Sequence, residues 1–350
     1  MSPVPDVPWV LLRAAEAIDR LVTVDVAGRG AVGGLYEAAR ARIEAPLVLE
    51  AALGLKGALS GSETVFIATG WPDRVEVDGS VAESDGPPGA AVLARALHRA
   101  FGVVPLVLTE APLVPALQGV LAAAGLRVLP PRAALRALRS RGPVHPAAAV
   151  AFPTAVKQAE EEARALLDRY SPGAVVVIEK GGPNRAGVIR SCRGEDVSCG
   201  HARIDVLIAQ ARSRGIYTLG IGDGGNEIGM GLIHDRAEEI LSGSLEAPVE
   251  GGCVPQVITD SLQVATISNW GAYGIAACLA LLVGRRGVFH DVEIERRVLE
   301  SCVRAGLIDG VTGYVEGSVD GVPQKAHLAL VRLLETVVET ALERGGTCPA

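Results

Sequence analysis

The feature that most constrains the fold is an alternation of short Val- and Ile-rich runs with longer Ala-, Leu- and Arg-rich segments of helical period. Short apolar runs predict buried strands, and the periodic segments between them predict amphipathic helices that connect those strands. Helical crossovers between strands are typical of parallel pairing. We therefore expect an α/β protein, layered, with a largely parallel or mixed sheet covered by helices.

Seven runs are predicted as strands. They are VFIAT ending at Thr69, VPLVLT ending at Thr109, LRVLP near Val128, AAAVAF ending at Phe152, VVVIE ending at Glu179, YTLGIG ending at Gly222 and VPQVIT ending at Thr259. The helices predicted between and after them include residues 88–100, 157–169, 202–213, 269–285 and 323–344.

The chain of 350 residues is longer than most compact domains, so one large domain and two lobes that share a cleft are both open. We treat residues 1–350 as one catalytic domain. Three prolines interrupt the sequence RGPVHPAAAVAFP, which places a candidate lobe boundary near residues 141–153.

Composition excludes several kinds of partner. A net charge of -7 and an aromatic content of 3% disfavour a nucleic-acid partner, which needs basic and stacking side chains. The longest apolar run, residues 276–283, is too short to span a bilayer and predicts a buried helix instead. The first residues lack the pattern of a signal peptide, and the six cysteines form no C-x-x-C pair. We expect a cytoplasmic protein with a small-molecule substrate, while its oligomeric state stays open.

Polar residues gather where the predicted strands end, which is the edge at which open α/β sheets bind ligands. VVVIE ends at Glu179, which Lys180 follows, and YTLGIG is followed by Asp223 and Glu227. VPQVIT is followed by Asp260. Carboxylates that meet at one edge repel one another unless a cation or protons intervene. We therefore expect an acidic cleft that binds a divalent cation.

One acidic residue after a strand could simply cap the next helix. The stretch DGGNEIGMG from Asp223 is different because its many glycines cost backbone entropy that a plain connection would not need. The motif G-x-G-x-x-G from Gly220 is a weak match to a dinucleotide site, since Asp223 would lie in the turn that holds a pyrophosphate. We therefore interpret the stretch as part of an active site.

These positions give three overlapping sets of candidate residues. The predicted catalytic residues are Glu179, Asp223 and Glu227. The predicted metal ligands are the same three and Asp260, whose hard oxygens favour Mg²⁺ or Mn²⁺. The predicted substrate-binding residues are Thr69, Gly70, Asp85, Lys180, Asn184, Gly224, Gly225, Asn226 and Asn269.

Several segments together resemble the C-terminal-domain family of D-glutamate cyclase. The resemblance is carried, in order along the chain, by TGWPDRVEVDGSVAESDGPPGAAVLARAL, IEKGGPNRAGVIRSCRGEDVS, IDVLIAQARSRGIYTLGIGDGGNEIGMG, TDSLQVATISNWGAYGIAACLAL and DGVTGYVEGSVDGVP. It implies an enzyme that closes D-glutamate to 5-oxo-D-proline with loss of water and that is associated with Mn²⁺ or Mg²⁺.

Ring closure needs a deprotonated amine and a polarised distal carboxylate, which the predicted acids and a cation could provide. Lys180 and Arg185 are alternative candidates for binding the α-carboxylate, and the glycine amides after Asp223 are candidates for stabilising developing negative charge. In the motif SNWG, Asn269 is suited to the site and Trp270 to packing.

Two other functions stay open. A Mn²⁺- or Mg²⁺-dependent phosphatase of small phosphomonoesters needs much the same side chains. A non-catalytic protein that binds a small molecule or a metal is the third alternative, although it would need fewer polar groups at the strand ends.

Overall fold

The computed structural model describes residues 7–140, 143–243, 245 and 247–345. Over these residues it contains seven strands, namely β1 (Thr64–Thr69), β2 (Val104–Thr109), β3 (Arg127–Val128), β4 (Pro146–Ala151), β5 (Ala174–Ile178), β6 (Tyr217–Gly222) and β7 (Ser261–Val264). The same residues form twelve α-helices, namely α1 (Trp9–Val22), α2 (Ala31–Arg40), α3 (Leu47–Ala58), α4 (Pro87–Phe101), α5 (Val114–Ala123), α6 (Pro131–Ala137), α7 (Val156–Tyr170), α8 (Ile204–Ser213), α9 (His234–Ser242), α10 (Ser268–Leu282), α11 (Val292–Arg304) and α12 (Gln324–Gly345).

The strands form one sheet in the order β3-β4-β2-β1-β5-β6-β7, and every pair is parallel. The predicted α/β fold with a parallel sheet is therefore confirmed. All five predicted helices are present; four lie within two residues of their expected bounds, and α10 ends at Leu282, three residues before its predicted end. Buried residues of α4, α7 and α8 belong to the apolar clusters that also contain strand residues, which is why hydrophobic periodicity located these helices.

Helices cover both faces of the sheet because alternate strand residues point to opposite sides. In β1, Val65 and Ile67 pack into a core that also contains side chains of α1, α3, α4, α5, α10, α11 and α12. Phe66 and Ala68 point the other way and pack with side chains of α6, α7 and α8. The predicted buried helix is α10, in which every residue from Ser268 to Leu281 is buried.

The strand order reverses beside β1, which makes a crevice at one edge of the sheet. The chain moves from β1 outward to β2 and β4, and it then returns past β1 to form β5. The loops after β1 and β5 consequently leave in different directions and a ligand-sized space opens between them. Glu179 is the first residue after β5, so the fold places it in this crevice.

One predicted strand is wrong. VPQVIT does not form a strand, and β7 begins only at Ser261, after Asp260. The backbone of VPQVIT bonds to two loops instead, because Gln256 N donates to Pro183 O and Gly229 N donates to Val257 O. Its Val and Ile residues look like a strand in the sequence, but its hydrogen bonds are used to pack the loops of the crevice.

The candidate lobe boundary is not tested by the fold. Arg141 and Gly142 lie outside the described residues. The residues that follow include β4, which pairs with both β2 and β3. A division into two lobes therefore stays a prediction.

The helices also bear on membrane insertion. Within the described ranges, no helix combines the length and the apolar character that a bilayer crossing needs.

We predict that Gly220→Ala in β6 destabilises the protein. An added Cβ would lie 2.5 Å from Ile228 O and 2.9 Å from Gly229 Cα, and backbone atoms cannot rotate away. We expect a loss of about 1–3 kcal/mol in the free energy of unfolding, measured by urea denaturation. The control is Gly57→Ala in α3, where nothing lies within 4 Å of the added Cβ. It should gain about 0.5–1 kcal/mol. Equal midpoints for Gly220→Ala and the wild type would contradict this packing.

Candidate functional site

A cavity of about 1210 Å³ opens at the carboxyl edge of the sheet. Its acidic lining comes from loops that are far apart in the sequence. The loop after β1 contributes Glu83, the first position after β5 contributes Glu179, and the loop after β6 contributes Asp223. Asp320, which precedes α12, also lines the cavity, as do Asp25, Asp73 and Glu195. The cavity is therefore both concave and strongly acidic.

Glu179, Asp223 and Glu227 converge, as the sequence predicted. Each offers a carboxylate oxygen, and these oxygens lie within 4.8 Å of one another. A second group consists of Asp85, Asp223 and Asp320 and meets the same distance limit. Asp223 belongs to both groups, so it is the centre of the acidic cluster.

Glu227 acts as a backbone clamp within this cluster. Its Oε1 accepts hydrogen bonds from Asp223 N at 3.0 Å and Gly224 N at 2.6 Å, and its Oε2 accepts one from Gly225 N at 2.8 Å. Gly225 has a φ of +101°, which a side chain would strain. The glycines of this loop let the chain wrap around one carboxylate. Their amides are therefore occupied by Glu227, which argues against a role in stabilising developing charge on a substrate.

Asp85 is a second clamp, and it ties two helix starts together. It accepts hydrogen bonds from Gly86 N, Ser268 N and Asn269 N, each at 2.9 Å. Asn269 Oδ1 in turn accepts hydrogen bonds from Gly86 N at 3.0 Å and Gly89 N at 2.7 Å. Asp85 and Asn269 thus join the starts of α4 and α10. Neither side chain lines the cavity, so direct substrate contact from them is not what the geometry favours.

The carboxylates that face the cavity are less well satisfied. Glu179 has a φ of +47°, an unusual conformation for a residue with a side chain, and its Oε2 accepts a hydrogen bond from Ser268 Oγ at 2.6 Å. Oδ2 of Asp223 is buried and accepts no hydrogen bond. A buried carboxylate oxygen that accepts no hydrogen bond is a chemically suitable position for a metal ion.

The crowding of these acids changes their protonation. Burial raises the pKa of Glu179 well above its usual value, and the neighbouring Glu227 raises it further. The pKa of Asp223 is also raised, mainly by burial and then by the neighbouring Glu179. Burial and Asp320 raise the pKa of Asp85 to about 8. The cluster therefore needs either protons or positive charge.

Arg29 provides some of that charge, and the sequence analysis did not identify it. It lies in the loop between α1 and α2, and its Nη2 is 3.3 Å from Asp223 Oδ2 and 3.0 Å from Asp320 Oδ2. Nη2 also donates to Thr266 O at 2.9 Å. Arg29 and Asp320 were missed because neither of them follows a predicted strand. Glu83 lies in the acidic loop after the predicted strand VFIAT but was not among the predicted site residues. The signal for Asp320 was that it falls in a segment that resembles the cyclase family.

Lys180 serves the scaffold. Its side chain is fully buried, forms an ion pair with Glu110 and donates to Gly70 O at 2.5 Å. Glu110 also accepts a hydrogen bond from Ala202 N at 2.6 Å. Lys180 thus joins the loops after β1, β2 and β5 and does not line the cavity. Because Lys180 is buried and paired with Glu110, it is not free to bind the substrate's α-carboxylate as the sequence predicted.

The other predicted substrate-binding residues divide into two sets. Gly224 and Asn226 line the cavity, and Asn226 Nδ2 also donates to Arg190 O at 3.0 Å. Thr69, Gly70 and Asn184 are buried or turn positions outside the lining. Asn184 fixes a loop, because its Nδ2 donates to Glu250 O and Gly252 O.

Asp260 is not brought to the cluster. Its Oδ2 accepts hydrogen bonds from Thr218 N at 2.8 Å and Thr218 Oγ1 at 2.7 Å, at the start of β6. Asp223 follows the other end of the same strand. The expectation that Asp260 shares a metal with Asp223 depended on the incorrect strand VPQVIT. The observed fold places the two residues at opposite ends of β6, and therefore at opposite ends of the parallel strands.

We predict that Lys180→Met costs about 3–5 kcal/mol in the free energy of unfolding, because it leaves Glu110 buried without a counter-charge. The double variant Lys180→Met with Glu110→Gln should recover much of that loss, since the amide oxygen still accepts from Ala202 N. Urea denaturation measures both values, and the exposed Lys56→Met is the control. Unchanged stability in Lys180→Met would indicate that Lys180 is not part of the scaffold.

Two comparisons with known proteins agree on one family. The family model described as D-glutamate cyclase-like, C-terminal, matches residues 18–335. The human mitochondrial D-glutamate cyclase is 26% identical over 317 residues, which is 80% of this chain and 46% of the human protein. The chain therefore spans about half the length of this curated relative.

Proposed function

The chain belongs to the D-glutamate cyclase-like, C-terminal family, and from that premise we propose that it is a metal-assisted lyase that forms 5-oxo-D-proline from D-glutamate with loss of water. The observation that carries this proposal is the buried Oδ2 of Asp223, which accepts no hydrogen bond and lies beside other carboxylates at a large cavity. Because the chain spans about half of the human relative, we assign the activity of that protein to this chain only as a proposal.

The residues present fit a divalent cation. Asp223 and Glu179 face the cavity and would hold Mn²⁺ or Mg²⁺, with Asp320 and Glu83 close by. Glu227 would contribute mainly through the loop that it shapes. When bound, the cation would neutralise and polarise the distal carboxylate of the substrate.

Glu83, which lines the cavity and is not a proposed metal ligand, is our candidate for the proton carrier. The α-amine attacks the distal carboxyl carbon, a C–N bond forms, a C–O bond breaks, and the two protons lost from the ammonium group leave with that oxygen as water. A group that takes a proton from nitrogen and returns it to oxygen needs a pKa near the working pH. Burial and Asp320 raise the pKa of Glu83 in that direction.

The α-carboxylate of the substrate needs positive charge away from the metal. Arg74 and Arg193 both line the cavity and could bind it. Because ring closure is intramolecular, holding the two ends of D-glutamate would itself contribute much of the rate enhancement.

A Mn²⁺- or Mg²⁺-dependent phosphatase of small phosphomonoesters is the second candidate. Arg74 and Arg193 favour it, because both line the cavity and are suited to an anionic phosphate group. A non-catalytic binding protein is the third candidate, and turnover of either substrate would exclude it. A cytoplasmic location stays a prediction.

We predict that the purified chain with D-glutamate and Mn²⁺ forms 5-oxoproline and that Asp223→Asn lowers the rate at least about 100-fold to 1000-fold. Chiral chromatography measures the product, and thermal melting checks that the variant is folded. The matched control is Asp260→Asn at the opposite edge of the sheet, which should retain near wild-type turnover.

Other outcomes of this experiment are equally clear. Phosphate release from phosphomonoesters without oxoproline would favour the phosphatase. Full activity in Asp223→Asn would remove the acidic cluster from the mechanism. Loss of activity in Asp260→Asn, but not in Asp223→Asn, would reverse our assignment of the functional edge.

A further inference from the structure

Asp223 belongs to two clusters of carboxylates. The two clusters differ in whether a basic side chain offsets their negative charge. On one side, Asp223 meets Glu179 and Glu227, and within the described residues no ion pair joins either glutamate to a basic side chain. On the other side, Asp223 meets Asp320, and Arg29 contacts both of them. The guanidinium of Arg29 therefore offsets negative charge on the Asp320 side of the cluster and not on the Glu179 side.

Arg29 reaches this position from outside the sheet. The loop before α2 holds its backbone, because Arg29 N and Gly30 N both donate to the carboxylate of Asp25. The Arg29 side chain is 36% exposed, whereas that of Asp223 is 6% exposed. The arginine is thus the accessible partner of a pair whose acid is buried, and it lines the same cavity through which an ion would enter.

We propose that Arg29 is a built-in counter-cation that competes with a divalent cation for the carboxylate of Asp223. The inference rests on the proposed metal site. A guanidinium and a divalent ion that share one buried carboxylate are separated by much less than a Debye length, so salt screens their repulsion poorly. Arg29 consequently weakens metal binding while it stabilises the metal-free protein.

Arg29 has two effects from its position beside Asp223. Without metal, Arg29 offsets part of the repulsion between Asp223 and Asp320 and keeps the loops closed around them. With metal, its repulsion limits the affinity, so the ion stays exchangeable. An interaction that served only to position Asp223 would have the opposite effect on affinity, because its loss would loosen the ligand.

The test is a calorimetric titration of metal-free protein with Mn²⁺ at one fixed pH. Arg29→Met keeps the apolar stem and removes the charge, so we expect its dissociation constant to fall at least about tenfold below that of the wild type. Arg29→Lys keeps the charge and should stay closer to the wild type. Arg203→Met is the matched control, because Arg203 also pairs with a carboxylate, that of Asp205, but does not line the cavity, and it should change affinity less than about twofold.

An unchanged or weaker affinity in Arg29→Met would overturn the proposal, as would absence of Mn²⁺ binding in both the wild type and this variant. If Arg29→Met does not fold without metal, refolding with Mn²⁺ should restore a cooperative melting transition, and failure of this rescue would also overturn it. The result is separate from the proposed reaction. A tenfold affinity difference without oxoproline would sustain the role of Arg29 and reject the cyclase activity.

Discussion

Mutual repulsion of carboxylates around Asp223 is the constraint on which the rest of the site depends. Buried acids at this spacing cannot all be ionised without compensation. The protein offsets this repulsion in three ways. Backbone amides bind Glu227 and Asp85, and Arg29 pairs with Asp223 and Asp320. Burial raises the pKa of Glu179 and Asp223, which favours their protonated forms. Glu179, which lines the cavity, has no ion pair with a basic side chain among the described residues.

The two clamps explain why so much sequence around the site is polar without contacting a ligand. Glu227 folds the glycine-rich loop after β6, and Asp85 with Asn269 joins the starts of two buried helices. The ion pair of Lys180 and Glu110 fixes a third set of loops below the cavity. Rigid surroundings of this kind hold Glu179 in a strained backbone conformation that it would otherwise leave.

The sequence predicted the parallel sheet and the meeting of Glu179 with Asp223, because hydrophobic periodicity reports burial and strand ends share one edge. It could not separate clamps from cavity-facing acids, since that depends on which amides lie within hydrogen-bond reach. It misplaced Asp260 because VPQVIT has strand composition but bonds to loops. Arg29 escaped notice because it comes from a segment without a strand, and only the folded chain brings it to Asp223.

The most direct test of this account is a crystal structure with Mn²⁺, in which anomalous scattering locates the ion. We expect a peak at about 2.0–2.6 Å from carboxylate oxygens of Asp223 and Glu179, with Arg29 on the far side of Asp223. A Mn²⁺ ion bound elsewhere, such as at Asp260, or an Asp223 carboxylate that contacts only protein and water at millimolar Mn²⁺, would contradict it.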